Sequence, residues 1–325
     1  MHLAGQPAEV ALELTAVVVA VTDDVPQALM VAAVDDRRHG LPSGPFEAGH
    51  RTLETGLRAG VEAQTGQALG YVEQLYTFGD HNRSVPQVGT RQVSRAVSVA
   101  YLALTGPVDQ EEKAAAAWRD WYRYLPWEDW RDGTPSGHAA ALARLTAWAE
   151  GTSSAADRAV RHERVRLTFG EAPAAWDDER VLERYELLYE AGLAAECWHD
   201  QGQTLPGEAL PPSLAMVADH RRILATAIGR LRAKIKYRPV LFELMPPAFT
   251  LLQLQRTAEA ISGVRLHKQN FRRLVESQGL VEETGAVTSD TGGRPAKLMR
   301  FRPAVVLERP APGVRVRATR RASPI

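Results

Sequence analysis

Short apolar runs separated by polar turns dominate the first hundred residues, and this pattern predicts strands. Residues 11–21 (ALELTAVVVAV) and 28–34 (ALMVAAV) are two such runs. The polar stretch 22–26 separates them, so they are expected to pair as a hairpin. A third run, SVAYLAL, lies within residues 92–105 and predicts another strand.

A helix is predicted between these strands. Leu53, Leu57 and Val61 recur at i, i+4 and i+8, the spacing of one helical face. Gly66 follows where a helix commonly ends in a left-handed cap. A strand pair, a helix and further strands together predict an α/β sandwich.

Residues 107–206 differ in composition from the sequence on either side, and they predict a helical insertion. They contain all seven tryptophans of the chain: Trp118, Trp121, Trp127, Trp130, Trp148, Trp176 and Trp198. The Ala-rich windows 111–118 and 139–149 favour helices. Large aromatic side chains can supply much of a helical core. We interpret the insertion as structural, with a binding module as the alternative.

An amphipathic helix is predicted next, from near Ser213 to Pro239. Its apolar positions include Ile223, Leu231 and Ile235, with basic side chains on its other faces. The basic residues are Arg222, Arg230, Arg232, Lys234 and Lys236.

The pattern from residue 241 onward predicts helix, turn, helix and β-hairpin, the layout of a winged helix-turn-helix. Thr250 and Gln253 have the spacing of a capping box, and Gly263 ends that helix. Phe271, Leu274 and Val275 mark the apolar face of the second helix. Strands are expected at 280–283 and 296–302, around a turn at 291–295.

Charge is balanced overall but divided along the chain. The 39 basic and 39 acidic residues cancel, yet residues 221–325 contain 21 basic and 7 acidic residues. The C-terminal part therefore has a net charge of +14 and the remainder −14, which suggests a polyanion-binding C-terminal part. A solvated basic face is the alternative interpretation.

DNA is the expected partner of the helix-turn-helix, because its second helix places N-terminal side chains in the major groove. Gln and Asn can pair with adenine edges, Arg with guanine, and basic side chains with phosphates. The candidate DNA-binding residues are His267, Lys268, Gln269, Asn270, Arg272, Arg273, Arg294 and Lys297. A protein-docking winged helix is the alternative.

Residues 41–47 (LPSGPFE), followed by a helix ending at 64–66, resemble a Nudix motif. In that family, glutamates on the helix hold Mg²⁺ ions that polarise a pyrophosphate. With Gly66 as the anchor, the family's Arg-Glu pair falls on Ala59-Gly60, its Glu-Glu pair on Ala63-Gln64 and its upstream Glu on Arg51. A one-residue shift matches Arg58 and Glu62 but places Thr65 at the glycine position. The resemblance therefore implies a Nudix-like fold without the metal-binding carboxylates.

A second resemblance is carried by segments from both the N-terminal and the C-terminal parts of the chain. It is carried by the segments 73–80, 96–101, 219–220, 237–239, 242–244, 249–250, 270–273 and 293–297. These segments are similar to the NrtR family of Nudix-related transcriptional regulators, and the long insertion is most like the NadQ-type regulators of NAD biosynthesis.

The resemblance implies an α+β chain: a Nudix-like α/β/α sandwich with a helical insertion, followed by a C-terminal winged helix-turn-helix domain. The expected boundaries are 8–240 for the Nudix-like ligand-sensing domain, 241–305 for the winged helix and 306–325 for a flexible tail.

The function that the resemblance implies is a homodimeric repressor of NAD biosynthesis genes that binds operator DNA. Its Nudix-like domain would sense ADP-ribose, NAD or ATP without hydrolysis. An active Nudix hydrolase of ADP-ribose-like substrates, with an accessory DNA-binding domain, is the alternative. A scaffold whose winged helix binds protein is a third.

Arginine forks are the expected replacement for metal at a bound diphosphate. The candidate ligand-binding residues are Arg37, Arg38, Phe46, Arg83, Arg91 and Arg95. For each arginine alone, an exposed surface role is an equal alternative, and Phe46 is better explained as core than as a shelf for a base. The nine histidines show no metal-binding spacing, so we expect no metal site. No Gly-x-Ser-x-Gly, P-loop or Gly-x-Gly-x-x-Gly motif stands where its strand and helix would require it, so we expect no catalytic residue and no cofactor.

The remaining sequence features favour a cytoplasmic protein. One cysteine, Cys197, cannot form an internal disulfide. The most apolar stretch, residues 14–21, is too short to span a bilayer, and residues 1–9 lack the pattern of a secretion signal.

Overall fold

The computed structural model describes residues 10–32, 38–79, 95–108, 116–207, 211–289, 295–308 and 311–314. Arg37, Arg83, Arg91 and Arg294 lie outside these ranges, and the side chain of Arg95 is not described.

A mixed sheet of seven strands forms the centre of the N-terminal domain. In chain order the strands are β1 (Val10–Thr22), β2 (Val25–Ala32), β3 (His39–Gly40), β4 (Ser43–Pro45), β5 (Tyr71–Phe78), β6 (Arg95–Leu104) and β7 (Ala116–Asp120). β1 and β2 pair as the predicted hairpin, and β1 runs parallel to β6 in the middle of the sheet.

Alternate residues of β1 enter two different cores, as the period of a strand requires. Leu14, Ala16 and Val18 pack with Leu57 and Val61 of α1 (Leu53–Thr65). The odd-numbered side chains from Val17 to Val21 pack on the opposite face, with α6 (His220–Ile235) and the insertion. Because both faces of β1 are covered, its sequence is a continuous apolar run. These two layers of helices confirm the predicted sandwich.

The insertion is helical as predicted, except where it begins. Short 3-10 turns at Trp121–Arg123 and Pro126–Glu128 lead to α2 (His138–Glu150), α3 (Ala155–Phe169), α4 (Val181–Glu190) and α5 (Ala195–His199). The prediction of a helix over 111–118 is wrong at residues 116–118. These residues belong to β7, which pairs with β2, so pairing at the sheet edge overrides the helical preference of alanine.

Helix α6 is amphipathic, but its basic side chains are not all on the surface. Arg221 and Arg232 are fully buried, and Arg222 is half-buried. Asp219 precedes the helix, and His220 opens it as a structural histidine whose Nδ1 accepts the Leu41 backbone N–H at 2.8 Å.

The C-terminal domain has the predicted winged layout. α7 (Leu251–Ser262) and α8 (Lys268–Gln278) are followed by β8 (Val281–Thr288) and β9 (Ala296–Phe301), which form a separate two-stranded sheet. The short helix α9 (Val305–Glu308) closes this part of the chain.

Part of the segment predicted as a flexible tail is ordered. Residues 306–308 belong to α9, and residues 311–314 pack back against the end of α6. Val314 is fully buried and donates its backbone N–H to the Ile235 carbonyl at 2.7 Å. Gly313 lies so close to the Tyr237 backbone that an added Cβ would approach within 2.2 Å.

Among the helices of the described residues, none combines the length and the apolar character that crossing a membrane requires.

Candidate functional site

The second helix of the helix-turn-helix has a buried apolar face and an exposed polar surface. Phe271 and Val275 of α8 are buried, whereas the side chains at its N-terminus and along its outer face are exposed. The exposed set contains His267, Lys268, Gln269, Asn270, Arg272 and Arg273. His267 occupies the position before the first helical residue, without a capping hydrogen bond from its side chain, and Gly279 ends the helix with a φ of 59°. The predicted DNA-binding residues on this helix therefore share one accessible surface.

The turn between α7 and α8 is held by two buried polar side chains that the sequence analysis did not single out. Gln255 donates to the Leu266 carbonyl at 3.1 Å and to Glu259 at 2.8 Å. The same Glu259 carboxylate accepts the Leu266 backbone N–H at 3.0 Å. Buried polar groups need such partners, so these bonds favour one angle between the helices. The spacing of Gln255 and Glu259 at i and i+4 was the only available signal.

The start of α7 is fixed by its predicted capping box. The Thr250 hydroxyl accepts the Gln253 backbone N–H, and the Gln253 side chain accepts the Thr250 N–H at 2.7 Å. Phe249, just before the capping residue, and Leu254, in the first turn of α7, are both buried; an apolar pair at these two positions fixes the direction in which the chain enters a helix. Phe249 also exchanges backbone hydrogen bonds with Met299 of β9, which ties the β-hairpin to the start of α7.

A groove of about 680 Å³ lies between the N-terminal turn of α7, α8 and the β-hairpin. Its basic side chains are Lys268, Arg272 and Lys297. Two of them face carboxylates: Arg272 lies 3.6 Å from Glu276, and Lys297 lies 2.7 Å from Glu283. Surface ion pairs of this kind are weak, so both cations remain able to reach an added anion.

Much of the positive charge that suggested polyanion binding is used inside the molecule. Residues 221–240 contain seven basic and no acidic residues, which is half of the net +14. Five of the seven form ion pairs with earlier carboxylates: Arg221 with Glu196, Arg222 with Glu186, Arg232 with Glu128, Lys234 with Glu73, and Lys236 with Asp178. Residues 241–301 contain eight basic and six acidic residues. The charge asymmetry alone therefore overstates the basic character of the winged helix.

The helix at the position of the Nudix motif does not carry a metal-binding set. In the preferred alignment the positions of the family's carboxylates are Arg51, Gly60, Ala63 and Gln64, and all four are exposed. Within the described residues there is no group of three His, Cys, Asp or Glu side chains that could hold a metal ion. The residues present here therefore do not fit the Mg²⁺ ions of a Nudix hydrolase.

One of the two glutamates of α1, Glu54, is already engaged in an ion pair. Glu54 pairs with Arg58 at 2.9 Å. Arg58 also donates to the carbonyls of Leu69 and Gly70, at 2.5 and 3.0 Å, so it ties α1 to the loop that follows. This contact gives Arg58 a structural role.

The described part of the chain does not bring the predicted ligand-binding residues together. Arg38 lies 2.9 Å from His199 Nδ1 at the end of α5, far along the chain from the motif. Phe46 is half-buried, packs against the core beneath α1 and lies 6.3 Å from the His50 ring. Arg95 pairs with Val10 through its backbone in β6. The other three, Arg37, Arg83 and Arg91, lie outside the described residues.

Comparison with protein families identifies the C-terminal domain. Residues 241–301 match the NrtR DNA-binding winged helix domain. The chain is also 43% identical over 103 residues to the ADPR responsive transcriptional repressor NtrR of Acinetobacter baylyi. That match covers 32% of this chain and 40% of the relative, so it spans about two fifths of the relative's length.

Solved structures share the fold along most of the chain. Shewanella oneidensis NrtR complexed with a 27mer DNA aligns with a TM-score of 0.52 and 20% identity, over 91% of this chain and 95% of that one. A MutT/nudix family protein from Enterococcus faecalis aligns with a TM-score of 0.50 and 14% identity, over 93% and 90%. These findings confirm the resemblance to NrtR at the level of the two domains: the chain has a domain of Nudix-like fold, and its C-terminal domain matches the NrtR DNA-binding winged helix domain.

Proposed function

We propose that this chain is a transcriptional repressor whose winged helix binds operator DNA and whose Nudix-like domain senses a NAD-related nucleotide. The main support is the exposed polar face of α8 within a domain that matches the NrtR DNA-binding family. The Acinetobacter relative is named as an ADPR responsive repressor, which makes ADP-ribose the first effector to test, before NAD and ATP.

In this proposal, the Nudix-like domain binds its nucleotide without cleaving it. Hydrolysis in the Nudix family depends on carboxylates that hold Mg²⁺, and residues of other types occupy those positions here. The protein is therefore proposed to be a regulator and not an enzyme. The proposed targets are NAD biosynthesis genes, and the proposed assembly is a homodimer on an inverted repeat.

Regulation requires that the nucleotide bind the DNA-competent and DNA-free arrangements with different affinity. By linkage, DNA and effector then change each other's affinity by the same factor. A nucleotide that binds both arrangements equally would stabilise the protein without regulating it.

The direct test is fluorescence anisotropy with DNA fragments from the promoters of its own gene and of NAD biosynthesis genes. Binding to one of them should weaken steeply with salt, as phosphate contacts require. Replacement of both Gln269 and Asn270 by alanine should abolish the preference for that fragment. Arg144→Ala, at an exposed position of α2, is the control. Equal binding to all fragments, or none at low salt, would contradict the proposal.

Hydrolysis is tested separately with ADP-ribose and Mg²⁺. We expect a thermal shift without the release of AMP. Release of AMP that is abolished by a chelator would favour the hydrolase alternative.

A further inference from the structure

The C-terminal end of α7 is bound by residues from other parts of the chain. Helices leave their last carbonyls without partners inside the helix. In α7, the Ala260 carbonyl accepts the Tyr122 hydroxyl at 2.7 Å, and the Ile261 carbonyl accepts Arg232 Nε at 2.9 Å. The carbonyl of the capping residue Gly263 accepts the Trp130 backbone N–H at 2.7 Å. Three hydrogen bonds within four residues thus anchor the end of the first helix of the winged domain.

The centre of this arrangement is a fully buried carboxylate. Glu128 accepts hydrogen bonds from Arg184 of α4, at 2.5 and 3.0 Å, and from Arg232 of α6 at 2.5 Å. Burial alone would raise the pKa of the Glu128 carboxyl, but the two arginines outweigh it and hold the pKa below its ordinary value. One charged group therefore joins the insertion, α6 and, through Arg232, the end of α7.

Gly263 fits this site because it has no side chain. A Cβ at this position would lie 2.2 Å from the Glu128 carbonyl oxygen, 2.9 Å from Arg232 and 3.0 Å from the Tyr122 hydroxyl. The nearest of these is backbone, which cannot rotate away. The close approach shows that α7 is seated directly on the insertion.

Two exposed arginines extend the contact around its edge. Arg265, in the turn before α8, lies 3.0 Å from Asp132 of the insertion. Arg256 of α7 pairs with Asp24 at the tip of the β1–β2 hairpin. The winged domain is therefore held by the insertion and also touches the sheet.

We infer that Tyr122, Glu128, Trp130 and Arg232 form a socket that fixes the orientation of the winged helix domain on the Nudix-like domain. These four are positioning residues, because they set where α7 lies, and α7 in turn sets where α8 lies through Gln255 and Glu259. The socket gives the helical insertion a specific function: it holds the DNA-binding domain.

The Trp130 amide provides a direct readout on the full-length protein. Its hydrogen bond to Gly263 crosses the contact, so its exchange with deuterium reports opening of the socket. In Gly263→Ala we expect this amide to exchange at least about tenfold faster, while amides of β1 keep their rates. Gly279→Ala is the matched control, because Gly279 has the same left-handed cap geometry but only the flexible end of Arg302 nearby, at 3.2 Å.

Tyr122→Phe is the milder variant if Gly263→Ala does not fold. Removing one hydrogen bond should increase opening about fivefold, measured at the same amide. Burial raises the pKa of Tyr122 to about 12, so the hydroxyl is a proton donor throughout the neutral range. Unchanged Trp130 exchange in both variants, or equal acceleration in β1, would overturn the socket.

DNA affinity is the second measurement on these variants, and it rests on the proposed function, whereas the exchange of the Trp130 amide does not. Gly263→Ala should lower affinity for the operator fragment by about tenfold or more, and Gly279→Ala by less than about threefold. Wild-type protein without any DNA binding would refute the proposed function and leave the exchange result to decide on the socket. Faster Trp130 exchange with unchanged DNA affinity would refute its positioning role.

Discussion

At the scale of single residues, the most informative side chains are charged groups with very different surroundings. Glu128, Arg184 and Arg232 are completely buried, and the Glu128 carboxylate pairs with both arginines. Arg273 on α8 is exposed. The same residue type is therefore a structural anchor at one position and a candidate phosphate contact at another, and only its neighbours distinguish the two.

Replacing Glu128 should destabilise the protein strongly. Glu128→Gln leaves two buried arginines without their counter-charge, which costs about 3–5 kcal/mol in comparable cases. Urea unfolding at pH 7 measures this loss. Glu62→Gln, at an exposed position of α1, should change stability by less than about 0.5 kcal/mol. Equal unfolding midpoints for the two variants would show that the buried network contributes little.

The same carboxylate predicts a dependence of stability on pH. Because the pKa of Glu128 is lower in the folded protein than its ordinary value of 4.5, its contribution is fully present above about pH 4.5. The contribution is lost as the pH falls through the folded-state value. The free energy of unfolding, measured between pH 7 and pH 3, should therefore decrease less steeply with falling pH in Glu128→Gln than in the wild type. An equal pH dependence of the free energy of unfolding in the two proteins would contradict the role given to Glu128.

Arg273 should contribute affinity for DNA without sequence preference. Arg273→Ala is expected to weaken binding to all fragments by a similar factor and to reduce the slope of log K against log salt by about one. Anisotropy titrations at four salt concentrations measure this slope. Arg144→Ala should leave it unchanged, and a change in the ranking of fragments with Arg273→Ala would instead indicate base recognition.

At the scale of elements, local signals in the sequence were sufficient wherever a helix or strand is determined by its own residues. The apolar period of α1, the capping box of α7 and the glycine ends of both helices predicted those elements correctly. The errors arose where distant segments meet. Residues 116–118 form a strand because β2 offers an edge, and Arg232 is buried because Glu128, 104 positions earlier, neutralises it. Neither partner is visible in a local pattern.

The candidate sites, too, were predictable only where residues close together in the sequence form them. The exposed face of α8 was predictable from helical spacing, whereas the socket depends on contacts between segments about 30 to 140 residues apart. The proposed nucleotide site was the least predictable, since its candidate arginines were chosen by side-chain chemistry and position along the chain, and three of them lie outside the described residues.

The capping box of α7 leads to a prediction for that element. Thr250→Ala should lower the free energy of unfolding by about 1 kcal/mol, because it leaves the Gln253 N–H without its capping partner. Ser154→Ala, which removes a comparable cap from α3, is the matched comparison. Hydrogen exchange should accelerate in α7 only for the first variant and in α3 only for the second. Acceleration in α7 for both would point to general destabilisation.

At the scale of the whole molecule, a large part of the charge asymmetry is neutralised within the Nudix-like domain, where α6 pairs with acidic residues from earlier in the chain. Half of the positive excess lies in residues 221–240, where most of it pairs with the acidic N-terminal part. Of the other half, residues 241–301 carry a net charge of +2 and residues 302–325 carry +5. Among the described residues, the exposed cations of α8 and the β-hairpin are the candidate DNA contacts. A nucleotide bound to the Nudix-like domain is expected to act on DNA binding through the contacts between the two domains, of which the socket is one.

The most direct test measures DNA affinity and nucleotide integrity in one sample. Full-length protein is titrated onto a labelled operator fragment by anisotropy, with and without ADP-ribose in the presence of Mg²⁺, and the nucleotide is then analysed for cleavage. The account predicts a dissociation constant that changes at least about fivefold with ADP-ribose, and intact ADP-ribose at the end. An unchanged dissociation constant together with stoichiometric or catalytic release of AMP would contradict it.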